Sequence, residues 1–195
     1  MANTCPIPRG GTFHGASGTI DTSDYAAVHL EGQPFRLPAL DSNGKVLKGL
    51  YVKGVIARNV SGDEIYPGHV MKWQSTYRGR RVDNEPGLYG EPAGIVDDQI
   101  TQTSVRNGDL FLLITGGIAR HKTHTTSATI AVGDALYASA TAGTLVAFDE
   151  GSSSGDQYDM ETHLELSKNQ VGIATEACAT TANDSSLRGI DVTIG

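Results

Sequence analysis

The sequence is poor in most of the residues that announce chemistry. Its 195 residues include two cysteines, one tryptophan and seven prolines, and aromatic residues make up only 6%. Two cysteines, Cys5 and Cys178, exclude a disulfide scaffold and a Cys-rich metal knot. They stand near opposite ends, and a Cys5–Cys178 bridge is not expected in a reducing compartment. No apolar run approaches the ~20 residues a membrane-spanning helix needs, and no cleavable leader pattern follows Met1. The expectation is a soluble protein made in a cytoplasm, with no membrane partner. Positive charge is also scarce, with 15 Lys and Arg against 22 Asp and Glu, for a formal net charge of -7. Such a surface repels phosphate, which argues against nucleic acid as a partner. No stretch shows helical periodicity over 10–12 residues. Also missing are a Gly-x-Ser-x-Gly elbow, a phosphate loop and a dinucleotide fingerprint.

Glycine is plentiful, with 24 residues. Short runs of Val, Ile, Leu, Thr and Tyr alternate with polar residues and stop at Gly, Asn or Asp. This pattern predicts an all-β protein, a compact β-barrel or β-sandwich. Leu110-Phe111-Leu112-Leu113-Ile114 is continuously apolar and is the expected centre of the core. An internal repeat organises the rest. Gly54-Val55-Ile56-Ala57-Arg58, Ile65-Tyr66-Pro67-Gly68 with its following strand, and Gly94-Ile95-Val96 occur in that order. Gly117-Ile118-Ala119-Arg120, Ile130-Ala131-Val132-Gly133 with its strand, and Val171-Gly172-Ile173-Ala174 repeat it. The reading is two similar halves, 46–98 and 109–195, forming one β-rich domain over 46–195.

Residues 1–45 differ. They hold Pro6, Pro8, Pro34 and Pro38, interspersed with glycines, and proline suits neither a helix nor an inner strand. An extended N-terminal arm is expected, with one edge strand at Tyr25–Leu30. Its apolar anchors are Phe13, Ile20, Tyr25, Leu30, Phe35, Leu37 and Leu40. Removing residues 1–40 should then leave a folded domain that binds its partner less well.

The candidate chemistry is thin. His121 and His124 fall in a Thr-rich stretch read as a loop, without a third ligand. Asp97 and Asp98 are neighbours, which on a strand point to opposite faces and make a poor acid–base pair. Asp156, Asp159, Glu161 and Glu165 lack calcium-loop spacing. No catalytic residue, metal site or cofactor is assigned. The contact candidates are Arg78, Arg80 and Arg81 in a polar loop, suited to bidentate pairing with carboxylates, together with Trp73 and the arm residues Phe13, Tyr25 and Phe35. Trp73, Tyr77 and Tyr89 are the one aromatic set that could serve a glycan- or receptor-binding module, the alternative reading.

Gly117-Ile118-Ala119-Arg120, Ile130 to Tyr137, Gly143-Thr144-Leu145-Val146 and Val171-Gly172-Ile173-Ala174 together resemble the cement or decoration proteins of tailed-phage heads. The resemblance covers residues 50–195 in pattern and about thirty positions in detail. It implies a β-rich barrel or sandwich on the capsid exterior of a virion, made in the host cytoplasm. It also implies the major capsid protein as partner and a homo-oligomer, trimeric by preference and dimeric otherwise. No contact residue of that family transfers to the arm or to the arginine loop.

Overall fold

The structure, a computed structural model, describes residues 7–13, 28–83, 86–87, 90–100, 103–122, 129–147, 168–178 and 187–194. The fold is all-β and is built around one strand. The run Leu110–Ile114 begins β7, which extends from Leu110 to Lys122. One edge of β7 pairs with β3 (Val46–Asn59) through residues 110–117. The other edge is shared by β1 (Thr12–Phe13), β6 (Gly94–Val96) and β11 (Leu187–Thr193). Alternation along the apolar run sends Leu110, Leu112 and Ile114 into one core and Phe111 and Leu113 into another. All five are fully buried, because both faces of β7 are covered.

The remaining strands are β2 (Pro34–Leu40), β4 (Val70–Met71), β5 (Arg81–Val82), β8 (Ala135–Ala138), β9 (Leu145–Ala147) and β10 (Gln170–Ala174). All eleven form one sheet with the main path β2-β3-β7-β11-β10-β8-β9. Pairing is antiparallel except between β3 and β5. The path has two ends and does not close into the barrel named above as one option. β2 ends it for a chemical reason: Pro34 and Pro38 remove two donors, which an edge strand tolerates and an inner one does not.

The apolar-x-x-Gly turn of the sequence repeat occurs three times among the described residues. Ile65-x-x-Gly68, Val105-x-x-Gly108 and Ile130-x-x-Gly133 each turn through a glycine with φ of 76°, 91° and 98° and then enter a strand. These left-handed values favour glycine. The three glycine N–H groups donate to the carbonyls of Val96, Asn59 and Ala174 at 3.1, 2.7 and 2.8 Å. The N–H groups of those same residues donate back to the carbonyls of His69, Asp109 and Asp134 at 2.9, 3.0 and 2.9 Å. Strand register then agrees in all three: Met71 opposes Gly94, Phe111 opposes Ala57, and Leu136 opposes Gly172. In two copies an Asp follows the glycine and its carboxylate accepts a turn N–H, Asp134 from Ala131 at 2.7 Å and Asp109 from Arg106 at 3.3 Å. Sequence reading missed the Val105 copy because it falls between the two expected halves.

The stretch read as an arm is partly in the sheet. β2 pairs along β3 from Pro34 opposite Val55 to Leu40 opposite Val46. Ile7, Phe35 and Ala39 are buried in the core shared with Leu112 and Ile114. Val28–Leu30 form a 3-10 turn and not the edge strand expected there, while Tyr25, Cys5 and Ile20 lie outside the described residues. Burial of Phe35 explains the difference: two prolines mark an edge, but an edge strand still has an inner face. The acidic stretch from Asp149 to Leu166 also lies outside the described residues. Among the described residues, no helix is long and apolar enough to cross a membrane.

Candidate functional site

The contact candidates converge on the segment that follows β4. After Val70–Met71 the chain runs through Lys72 and Trp73, makes a 3-10 turn at Ser75–Tyr77, and returns as β5. A bridge between Trp73 and Val82, and a bond from the Gln74 N–H to the Arg81 carbonyl at 2.9 Å, hold the two limbs together. Between this hairpin and residues 86–87 and 90–91 lies a groove of about 440 Å³. Lys72, Trp73, Gln74, Arg78, Pro86 and Glu91 contribute to its walls. Trp73 is half-buried and packs on the second core cluster, so its position is set by the fold. The Gln74 Oε1 is buried without a hydrogen-bond partner. A buried acceptor of this kind carries a desolvation cost and is shielded from the groove. Arg78 and Glu91 form an ion pair on the rim with side chains 64% and 58% exposed, so it contributes little to stability.

The arginine cluster does not act as a unit. Arg78 is on the groove rim, and Arg80 is exposed with its stem lying over Gly32. Arg81 points inward, where its Nε donates to Glu31 Oε2 at 2.7 Å and its guanidinium stacks 4.2 Å from the Tyr77 ring. The other oxygen of Glu31 accepts from Arg58 Nε, and Arg58 also donates to the Gly108 carbonyl at 2.5 Å. Glu31, Arg58 and Arg81 are all buried. Arg81 and Phe35 are therefore packing groups in this fold, and neither offers its side chain to a partner. Tyr77 is not part of the groove wall, Phe13 pairs through its backbone with Leu110, and Tyr25 and Tyr89 lie outside the described residues.

Two further polar clusters were not legible in the sequence. Asp97 and Asp98 follow β6 in a turn, not on a strand, and both reach Arg9: Nε to Asp97 at 2.8 Å and one terminal nitrogen to Asp98 at 2.5 Å. Asp97 also accepts the Gly10 N–H at 2.7 Å. Burial pushes the Asp98 carboxyl up to about 6; the Arg9 charge opposes that shift and the Asp97 charge adds to it. His121 is not in a loop. It is the penultimate residue of β7, and both ring nitrogens are buried without hydrogen-bond partners. Burial holds it down at about 4, so it is neutral at physiological pH. His124 lies outside the described residues. The one available signal for the Glu31 cluster was Arg58 itself, a charge at the inward end of an apolar strand, which needs a counter-ion.

Among the described residues, no group of three or more His, Cys, Asp or Glu side chains is placed to hold a metal ion. Arg9 claims both carboxylates of the Asp97–Asp98 pair, so that cluster ties the N-terminal segment to β6. The Trp73 groove is different, because Trp73 and the charged residues Lys72, Arg78 and Glu91 line its wall. No protein-family model and no curated protein matches this chain.

Proposed function

We propose that this chain is a structural virion protein that binds the outer surface of a tailed-phage capsid and cements neighbouring major-capsid subunits. It works as a homo-oligomer, a trimer by preference. One observation supports the reading. The four segments behind the resemblance come together in space as one hydrogen-bonded block: Gly117–Arg120 in β7, Ile130–Tyr137 leading through β8, Leu145–Val146 in β9, and Val171–Ala174 in β10, with β11 inserted between β7 and β10. A family pattern scattered over unrelated surfaces would carry less weight. Cementing needs no catalytic centre. It needs a rigid body that buries a standard ~1,600 Å² across a subunit boundary, repeated over many copies. Cosedimentation with purified shells tests it. The protein should pellet with shells and raise their resistance to heat; a protein that neither binds shells nor occurs in virions ends this reading.

The Trp73 groove favours a second reading, a glycan- or receptor-binding module. An indole face stacks on the apolar face of a sugar ring, while Lys72 and Glu91 supply polar partners. Trp73 is the only tryptophan, so its fluorescence reports directly on the groove. Titration with oligosaccharides selected on a glycan array should shift that emission, and no shift with any of them rejects this reading.

A further inference from the structure

One face of the β2–β3 pair carries two cations and an exposed ring. Residues directly opposite in an antiparallel pair share a face, and β2 and β3 set Pro34 against Val55, Arg36 against Lys53 and Pro38 against Tyr51. On β7, Gly116 is opposite Lys53 and belongs to the same side. At Val55 this side is covered, because Val55 packs on the second core cluster. From Lys53 outward it is open: Arg36 and Lys53 are exposed, and Tyr51 is 48% exposed.

Arg36 and Lys53 are like charges at directly opposed positions, an arrangement that destabilises a sheet. Each leans away from the other. The Arg36 guanidinium lies 4.5 Å from the Tyr51 ring. The Lys53 stem turns toward β7 and lies over Gly116, which has no side chain to lift it off the sheet. Among the described residues, neither cation forms a salt bridge. The one acid within residues 34–55 is Asp41, at the hairpin turn, where its carboxylate accepts the N–H groups of Asn43 and Lys45 at 2.8 and 2.9 Å. A guanidinium stacked on a ring keeps its N–H edge for a carboxylate. Both stems are already laid against the sheet, so little ordering is left to lose on binding. Strand addition at β2 is blocked by its two prolines, which leaves the face and not the edge.

We propose that this face receives a carboxylate of the major capsid protein, an Asp or Glu side chain docking between Arg36 and Lys53 beside Tyr51. The identity of the partner rests on the capsid reading above; the choice of a carboxylate rests on the two cations. An anion between them relieves their repulsion, and complementary charge fixes the register of the contact. The chain's net charge of -7 opposes a polyphosphate ligand, which favours a single carboxylate on a protein surface.

Cosedimentation of the full chain with purified shells at about 50 mM and about 500 mM salt tests this, with hexaglutamate as a soluble competitor. The variants are Arg36→Gln with Lys53→Gln, and Arg36→Glu with Lys53→Glu. Both side chains are exposed, so each variant should keep the wild-type circular dichroism and unfolding midpoint. Shell binding should be about tenfold weaker in the glutamine pair and weaker still in the glutamate pair. High salt and hexaglutamate should each displace the wild type. Shell binding unchanged in both variants overturns the inference and leaves the capsid reading standing. Displacement by tripolyphosphate at a lower concentration than hexaglutamate also overturns it, as does a change in the sedimentation velocity of the free variants, which would mark the face as a contact between copies. A wild type that ignores shells removes the capsid reading and the named partner with it. The Tyr51 ring signals in an NMR titration with hexaglutamate then decide the site itself: shifts that the glutamine pair lacks support it, and no shift overturns it.

Discussion

Replacing Glu31 by alanine is the sharpest single test of how this fold is held. The Glu31 carboxylate is buried and receives two arginines, Arg58 with a fully buried side chain and Arg81 with one 5% exposed. The alanine variant leaves both guanidinium groups in a low-dielectric interior without their carboxylate. Removing one partner of a buried pair costs about 3–5 kcal/mol, and two arginines on one carboxylate place this site at the upper end. A domain of this size is stable by about 5–15 kcal/mol, so the loss takes a third or more of the total. In urea, with a slope of about 2–3 kcal/mol per molar, the midpoint should fall by roughly 2 M. The change Glu31→Gln keeps the shape and one acceptor and should fall between wild type and alanine. Replacing Glu31, Arg58 and Arg81 together by methionine removes all three charges and should recover most of the loss, as buried ion pairs often can be replaced by apolar groups. A loss below about 1 kcal/mol for Glu31→Ala, the worth of an exposed ion pair, would refute the account.

The same reasoning reverses the expectation for the N-terminus. Deleting residues 1–40 removes Glu31, Ile7, Phe35 and Ala39 together, and cooperative unfolding in urea should disappear. Gly54→Ala places a Cβ against the Leu113 carbonyl of the paired strand and should cost at least the ~1–3 kcal/mol of an overpacked core. At Gly62 the φ of 86° carries its own penalty, but no atom lies within 4 Å, so Gly62→Ala should cost only about 1–2 kcal/mol; thermal unfolding compares the two. Asp98 and His121 give opposite pH slopes. Asp98 is raised from 3.8 to about 6, so its contribution is full below pH 3.8 and is lost as pH rises through 6. His121 is lowered from 6.5 to about 4, so its contribution is full above pH 6.5 and is lost as pH falls through 4. Each slope is at most about 1.4 kcal/mol per pH unit, and they offset each other between pH 4 and 6. Stability of Asp98→Asn should rise with pH across that window and that of His121→Leu should fall, while the wild type stays nearly level. Parallel curves for all three would contradict both assignments.

Local chemistry alone determined the all-β class, the glycine turns and the identity of the central strand, but not every strand boundary. The apolar run Leu110–Ile114 can be satisfied only by burial on both faces, and β7 is buried that way. The glycine turns were readable because a positive φ selects glycine at a fixed offset from an apolar residue, although the third copy was overlooked. The outcome for Phe35, for the Asp97–Asp98 pair and for the arginine loop was decided by tertiary structure. Glu31 meets Arg58 across 27 positions and Arg81 across 50, and Arg9 meets Asp97 across 88. No periodicity or motif spans such separations. Which carboxylate enters the interior with which guanidinium follows from strand pairing around β7, and pairing is a long-range choice that each segment cannot make by itself.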